Sequence, residues 1–160
     1  MTKSSSERDY VADPLIAPLL RVPLQEIRAR VHAAVAAAGY DDLGPAHFNI
    51  LQAPTPDGVR PTELAARGQM TKQAANRLIR HLERCGYLRL EPDPTDQRAR
   101  IARLTDRGWK LIATIRATVE EIEREWSRRL GPRRFEELRI ALKDLAGFVD
   151  GRVDHERSSR

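Results

Sequence analysis

Residues 60–87 read Arg60-Pro-Thr-Glu-Leu-Ala-Ala-Arg-Gly-Gln-Met70 and then Thr71-Lys-Gln-Ala-Ala-Asn-Arg-Leu-Ile-Arg-His-Leu-Glu-Arg-Cys-Gly-Tyr87. A little further on comes Asp93-Pro-Thr-Asp-Gln-Arg-Ala-Arg100. Pro61 suits the first turn of a short helix, Glu63 sits where the helix dipole favours an anion, and Gly68 ends the run. Thr71 is a good N-cap for a second helix, although Ala74 at N3 denies it a full capping box. Gly86 suits the residue just past that helix's end. In the second helix Ala75, Leu78, Ile79 and Leu82 form an apolar stripe. Thr71, Lys72, Gln73, Asn76, Arg77 and Arg80 are left on or near the opposite side, and these residue types reach base edges and phosphates. Taken alone, that face could equally be a solvated surface. Tyr87 to Glu91 and Arg100 to Leu104 read as two short strands, with Pro92 to Arg98 as their loop. The order is helix, turn, helix and arginine-tipped hairpin, which suits a duplex read in two adjacent grooves.

The charge is placed to match. The chain has 160 residues and a net charge of +5 from 28 basic and 23 acidic residues. Residues 60–107 hold eleven of the basic and six of the acidic ones, so the whole excess lies in this segment. Binding backbone phosphates needs such a localised basic surface, whereas an arginine-rich surface of no function would be spread out.

Outward from this segment the reading is helical. Residues 1–13 are polar, lack periodicity and are expected to be a disordered tail. Pro14, Pro18 and Pro23 predict an irregular start, followed by a helix from about Pro23 to Ala38 that Gly39 stops. A short helix is expected from about Gly44 to Gln52, broken by Ala-Pro-Thr-Pro-Asp-Gly, and Val59 and Arg60 suit a short strand. Thr105 suits the cap of a long helix running to about Leu130, with Gly131-Pro132 breaking it. A last helix is expected over about Pro132 to Val149, and the polar tail 151–160 is expected to fray.

Other classes of function find little support. No run approaches the roughly 18 apolar residues of a membrane helix, and the start lacks the apolar core of a signal peptide, so a cytoplasmic protein is expected. One cysteine, Cys85, and four scattered histidines offer neither a disulfide framework nor a metal set, and no cofactor is expected. No nucleophile–base constellation or phosphate-cradling glycine loop is present, so the chain does not read as an enzyme.

With these residues in view, the chain resembles the MarR family of winged helix-turn-helix transcriptional regulators. The resemblance runs from about Leu43 to the last helix. It is carried by Glu63-Leu64-Ala65, by Leu78, Leu82, Glu83 and Gly86-Tyr87-Leu88, by Pro94, Asp96 and Arg98, and by Leu104-Thr105 with Gly108. It implies a mainly α fold with a small β-wing, in which residues 14–42 form an N-terminal dimerisation segment. Residues 43–107 would be the DNA-binding domain and 108–150 the C-terminal dimerisation helices. It implies a homodimer, a recognition helix over Thr71 to Arg84, and Arg98 as the wing-tip arginine, with Arg100 beside it. Asp96 would fix the wing by pairing with an arginine. Gln97 departs from the pattern, standing where a second wing arginine is common, and the early prolines are unusual for a first dimerisation helix. Cys85 lies away from the N-terminal region where oxidant sensors of the family carry their cysteine, and it reads better as a packed small residue.

The resemblance also implies a crevice for a small aromatic or anionic effector, with Tyr40, His47, Phe48, Trp109 and Arg116 as the residues on its elements. Ordinary packing for Phe48 and Trp109, and a solvated surface for Arg116, weigh more on the residues alone. The expected function is a dimeric, sequence-specific DNA-binding regulator acting as a ligand-responsive repressor at a palindromic site. The alternative is an architectural or weakly specific DNA binder of the same fold.

Overall fold

The computed structural model describes residues 14–51 and 56–158, and the expected disordered tail 1–13 lies outside them. In chain order the elements are α1 (Ile16–Ala37), α2 (Pro45–Leu51), α3 (Pro61–Arg67), α4 (Lys72–Arg84), β1 (Leu88–Asp93), β2 (Asp96–Leu104), α5 (Asp106–Leu130) and α6 (Pro132–Ser158). The expected mainly helical fold with a two-stranded antiparallel wing is what the chain adopts. No helix among the described residues is long and apolar enough to cross a membrane.

The chain divides into two compact units, joined in sequence between Thr118 and Val119. The first contains the winged helix. Its α3 packs on α4, α2 packs on both, and the sheet closes against α3 and α4. The apolar stripe of α4 supplies the centre, with Ala75, Ile79 and Leu82 buried among Leu43, Ile50, Leu51, Leu64, Tyr87, Leu88, Ile101 and Leu111. Val59 forms the expected extra strand as an isolated bridge to Ala102, its N–H donating to the Ala102 carbonyl at 3.0 Å. The second unit consists of the end of α5 and all of α6, and Ile122 is fully buried there.

Three boundaries differ from the sequence expectation. The first helix begins at Ile16, seven residues before Pro23, and keeps Pro23 in its interior. Pro18 falls in the first turn, where its missing N–H has no intrahelical partner to lose. Pro23 forfeits one backbone bond, and the helix continues through it. The hairpin is longer than expected: pairing runs from Leu88↔Leu104 to Asp93↔Asp96, leaving Pro94 and Thr95 at the turn. Pro92 is accommodated where the register shifts between Pro92 and Asp93, since a bulge relieves the ladder of a donor it lacks. Finally, the last helix runs through Gly151 to Ser158 where a frayed tail was expected. One glycine costs a helix interior only about 1 kcal/mol and does not end it without an αL turn.

Candidate nucleic-acid interface

The start of α4 is set locally. Thr71 is in extended conformation and its hydroxyl accepts the Ala74 N–H at 3.2 Å. Gly86, with φ +73°, lets the chain leave the helix through the left-handed region, and the Tyr87 N–H returns to the Leu82 carbonyl at 2.9 Å. Between these ends one side of α4 is buried, and the other forms an open concave surface lined by Thr71, Gln73, Ala74, Asn76, Arg77, Arg80 and Arg84. Five of the expected contact residues thus line one solvent-facing surface, and Lys72 is exposed in the first turn. Arg84 joins them without having been singled out. It lies four residues after Arg80 on the same helical stripe, so the 3.6-residue period was signal enough to find it.

The wing is held by a carboxylate, but by a different one from that expected. Asp96 accepts the backbone N–H of Arg98 at 3.1 Å, next to the turn, and the Arg98 side chain is exposed. The arginine ion pair expected of Asp96 belongs instead to Asp93, whose Oδ2 takes both Nε and Nη2 of Arg60 at 2.7 Å. Its other oxygen accepts the Thr95 N–H and hydroxyl at 2.8 and 2.7 Å. The side chain of Asp93 is 7% exposed, and these partners account for its burial. The Thr95 hydrogen bonds and then Arg60 hold its carboxyl down to about 2. Spacing between Arg60 and Asp93 is not periodic, so no sequence signal links them. Arg100 is exposed but donates to the Leu90 carbonyl across the hairpin at 3.1 Å, so it stiffens the wing as well as adding charge.

A pH effect follows from Asp93. Its folded-state carboxyl is depressed below the ordinary value of about 3.9, so the ionised form stabilises the wing fully above that value. The contribution is lost as pH falls through about 2. Asp93→Asn should therefore melt below the wild type by a constant margin above about pH 5, and the two should converge in stronger acid. A margin that does not shrink on acidification would mean that the charge of Asp93 does not contribute.

Behind the interface lies a junction of the winged helix with α5. Thr105 caps α5 as expected, its hydroxyl accepting the Gly108 N–H at 3.1 Å and donating to the Gly86 carbonyl at 2.6 Å. Arg107 sits over the Tyr87 ring at 4.7 Å and the Tyr40 ring at 5.6 Å, and donates to the Tyr87 hydroxyl at 3.0 Å. Tyr87 in turn donates to Asp42. Burial, followed by the bond to Asp42, pushes the Tyr87 phenol up to about 12. Cys85 is half-buried, and burial with the neighbouring Asp42 raises its thiol. It therefore keeps its proton, which fits packing better than redox chemistry.

Of the residues named for an effector, Tyr40 lies in this junction and His47 stacks on His81 with ring centroids 4.4 Å apart. Phe48 meets the edge of His32 at 6.2 Å. Trp109 is 38% exposed, and Arg116, two turns along α5, is also exposed. The five are spread along α5 and the α1–α2 region, and Tyr40 and His47 share a network through Asp42, Tyr87 and His81.

Comparison with known proteins matches residues 41–99 to the profile of the MarR family. No curated protein matched the chain. Among solved structures, the transcriptional regulator Tm0710 from Thermotoga maritima is 26% identical with a TM-score of 0.59, covering 84% of this chain and 94% of its own. A crystal structure of MarR is 25% identical with a TM-score of 0.66, covering 86% and 98%. The transcriptional repressor CouR, bound to a 23-mer DNA duplex, is 25% identical with a TM-score of 0.65, covering 86% and 95%.

Proposed function

We propose that the chain, whose residues 41–99 match the MarR family and whose fold matches solved regulators of that family, is a homodimeric repressor of this winged helix-turn-helix class. It binds a palindromic duplex with α4 in the major groove and the wing arginine in the minor groove. The observation that carries this reading is the polar side of α4 from Thr71 to Arg84, left open to solvent beside an exposed Arg98. Phosphate-directed arginines give general affinity, and amide side chains on the same helix give a means of reading bases. The similarity to CouR, solved on a DNA duplex, supports the same use of the fold. A small aromatic or anionic effector would release the protein by favouring a dimer with altered helix spacing.

A partner copy is supported by the apolar surface of the terminal helices. In α1, Ile16, Leu19, Leu20, Val22 and Leu24 are all exposed, and in α6 Leu138, Ile140, Leu142, Leu145 and Phe148 are exposed. Monomers rarely leave that much apolar surface in water, and an obligate interface would bury it. Two such modules related by a dyad would meet half-sites about one helical turn apart. Sedimentation at micromolar concentration should give a dimer; a monomer would overturn this part.

The DNA reading is tested by competition between a duplex selected from a random pool and bulk DNA. A regulator prefers the selected duplex by orders of magnitude, and an architectural binder does not. Arg98→Ala should lower affinity for that duplex about tenfold, as expected for one charge-assisted contact. Its melting temperature should not change, because the side chain is exposed. Equal affinity of mutant and wild type at fixed moderate salt would remove Arg98 from the interface.

A further inference from the structure

His47 and His81 face each other across the contact between α2 and the recognition helix, with rings stacked at 4.4 Å and 27°. Each ring has a defined hydrogen-bond role. His47 stands at the third position of α2, and its Nδ1 accepts the Gly44 N–H at 2.9 Å. This is the returning half of a capping box, with an imidazole in the place usually taken by a glutamate or glutamine. His81, in the last turn of α4, places Nε2 2.8 Å from the Asp42 carbonyl oxygen. A carbonyl only accepts, so that nitrogen carries its proton.

We propose that His47 is a positioning residue, holding the recognition helix in its DNA-binding pose only while its own imidazole is neutral. This rests on the DNA-binding reading above. The geometry gives two reasons. Protonation of Nδ1 destroys the acceptor for the Gly44 N–H. The Gly44 carbonyl, 3.2 Å from that nitrogen, can accept from a charged ring, but that contact leaves the Gly44 N–H without its acceptor. A charged His47 ring would also lie stacked on His81, so any charge on both meets repulsion at van der Waals distance.

Groups on each neighbouring element bear on that charge. The α1–α2 turn contributes Asp42, a nearby carboxylate that favours a charged His47. That carboxylate is engaged by the Tyr87 hydroxyl and lies 3.6 Å from Arg107 at the start of α5, which offsets it. From α4 come His81 and the nearby cation Arg84, and just past its end Cys85, whose sulfur is 3.5 Å from the His81 Nε2. From α1 comes His32, against Phe48. Burial first, then His81, outweighs the opposing pull of the Gly44 carbonyl and Asp42 and holds the His47 imidazole below its ordinary value.

The sign follows from linkage. A histidine depressed in the folded state stabilises it fully above the ordinary value of about 6.5, and that stability is lost as pH falls below it. DNA affinity that depends on the neutral form falls in the same direction. It can change by at most about tenfold per pH unit for one proton.

The test measures binding of a duplex selected at about pH 7.5, and thermal melting, from pH 7.5 to about 5.5, for wild type and His47→Gln. Glutamine keeps an acceptor for the Gly44 N–H and cannot take up a proton. With each affinity normalised to its own value at pH 7.5, wild type should lose more than His47→Gln on acidification, by a factor of up to about ten. Parallel profiles would overturn the proposal. If wild type binds no duplex even at pH 7.5, the DNA reading fails, while the two melting profiles still decide whether neutral His47 holds the α2–α4 contact. If His47→Gln does not fold, the wild-type His47 ring is titrated by NMR. Titration at or above the ordinary histidine value would overturn the proposal, and titration below it would support it.

Discussion

Gly108→Ala is expected to destabilise the protein, against what helix propensity alone predicts. Gly108 lies in the first turn of α5, where alanine would ordinarily gain about 1 kcal/mol over glycine. Its position in the fold reverses the sign. A Cβ there would come 2.1 Å from the Tyr87 carbonyl oxygen, 3.1 Å from the Tyr87 carbonyl carbon and 2.9 Å from a Leu104 methyl. Tyr87 is fully buried and its carbonyl already accepts the Thr105 N–H at 3.1 Å, so the backbone cannot retreat cheaply. Such overpacking costs about 3 kcal/mol or more, leaving a net loss of about 2. For a chain of this size that corresponds to a melting temperature lower by roughly 4–8 °C. The damage should extend to DNA binding, because Tyr87 follows directly on the turn that ends the recognition helix. Thermal melting of the alanine variant checks the first part. A variant as stable as wild type would mean that α5 and β1 separate at this junction at little cost.

Gly108 also marks what can be read from a sequence and what cannot. Leu104-Thr105 with Gly108 is visible as a pattern, and Thr105 as a cap, because capping involves residues within one turn. Thr71 and Gly86 are legible for the same reason, and the buried stripe of α4 follows from its period. The reason Gly108 must be glycine lies 21 positions back, at the Tyr87 carbonyl, and no local signal carries it. The same holds for Arg60 with Asp93 and for His47 with His81, pairs that only the folded chain brings together. Asp93, not Asp96, takes the arginine, because the strands pair further toward the tip than the prolines suggest. Pro23 reads as a helix start because proline there is favourable, yet a long helix tolerates one missing bond in its interior. Gly151 likewise fails to end α6. In the candidate site, the helix face and Arg98 are legible from charge and period. The effector residues are not, since Tyr40 and His47 meet partners from α4, β1 and α5 that spacing does not predict.

The largest effects on recognition are expected from Gln73, Asn76 and Arg77. All three are exposed on the open side of α4, and the Thr71 cap fixes where the helix begins. Gln73 and Asn76 can each pair bidentately with adenine, and Arg77 with guanine, if that side enters the major groove. Each such pairing contributes about 1–3 kcal/mol of discrimination against the wrong base. Arg80 and Arg84 continue the same stripe one and two turns further along the helix, away from its N-terminal end. In helix-turn-helix proteins it is the N-terminal part of the recognition helix that meets the bases, which leaves these later arginines to the phosphates. The two groups should separate by experiment. Sites selected from random duplexes by Gln73→Ala, Asn76→Ala and Arg77→Ala should each lose information at one or two positions of the parental motif and keep the rest. Arg80→Ala and Arg84→Ala should keep the motif whole and bind every sequence more weakly. Their salt dependence should become shallower by about one unit for each phosphate that is no longer neutralised. If all three of the first group recover the parental motif undiminished, α4 does not read bases. Specificity would then have to come from the wing and the shape of the duplex.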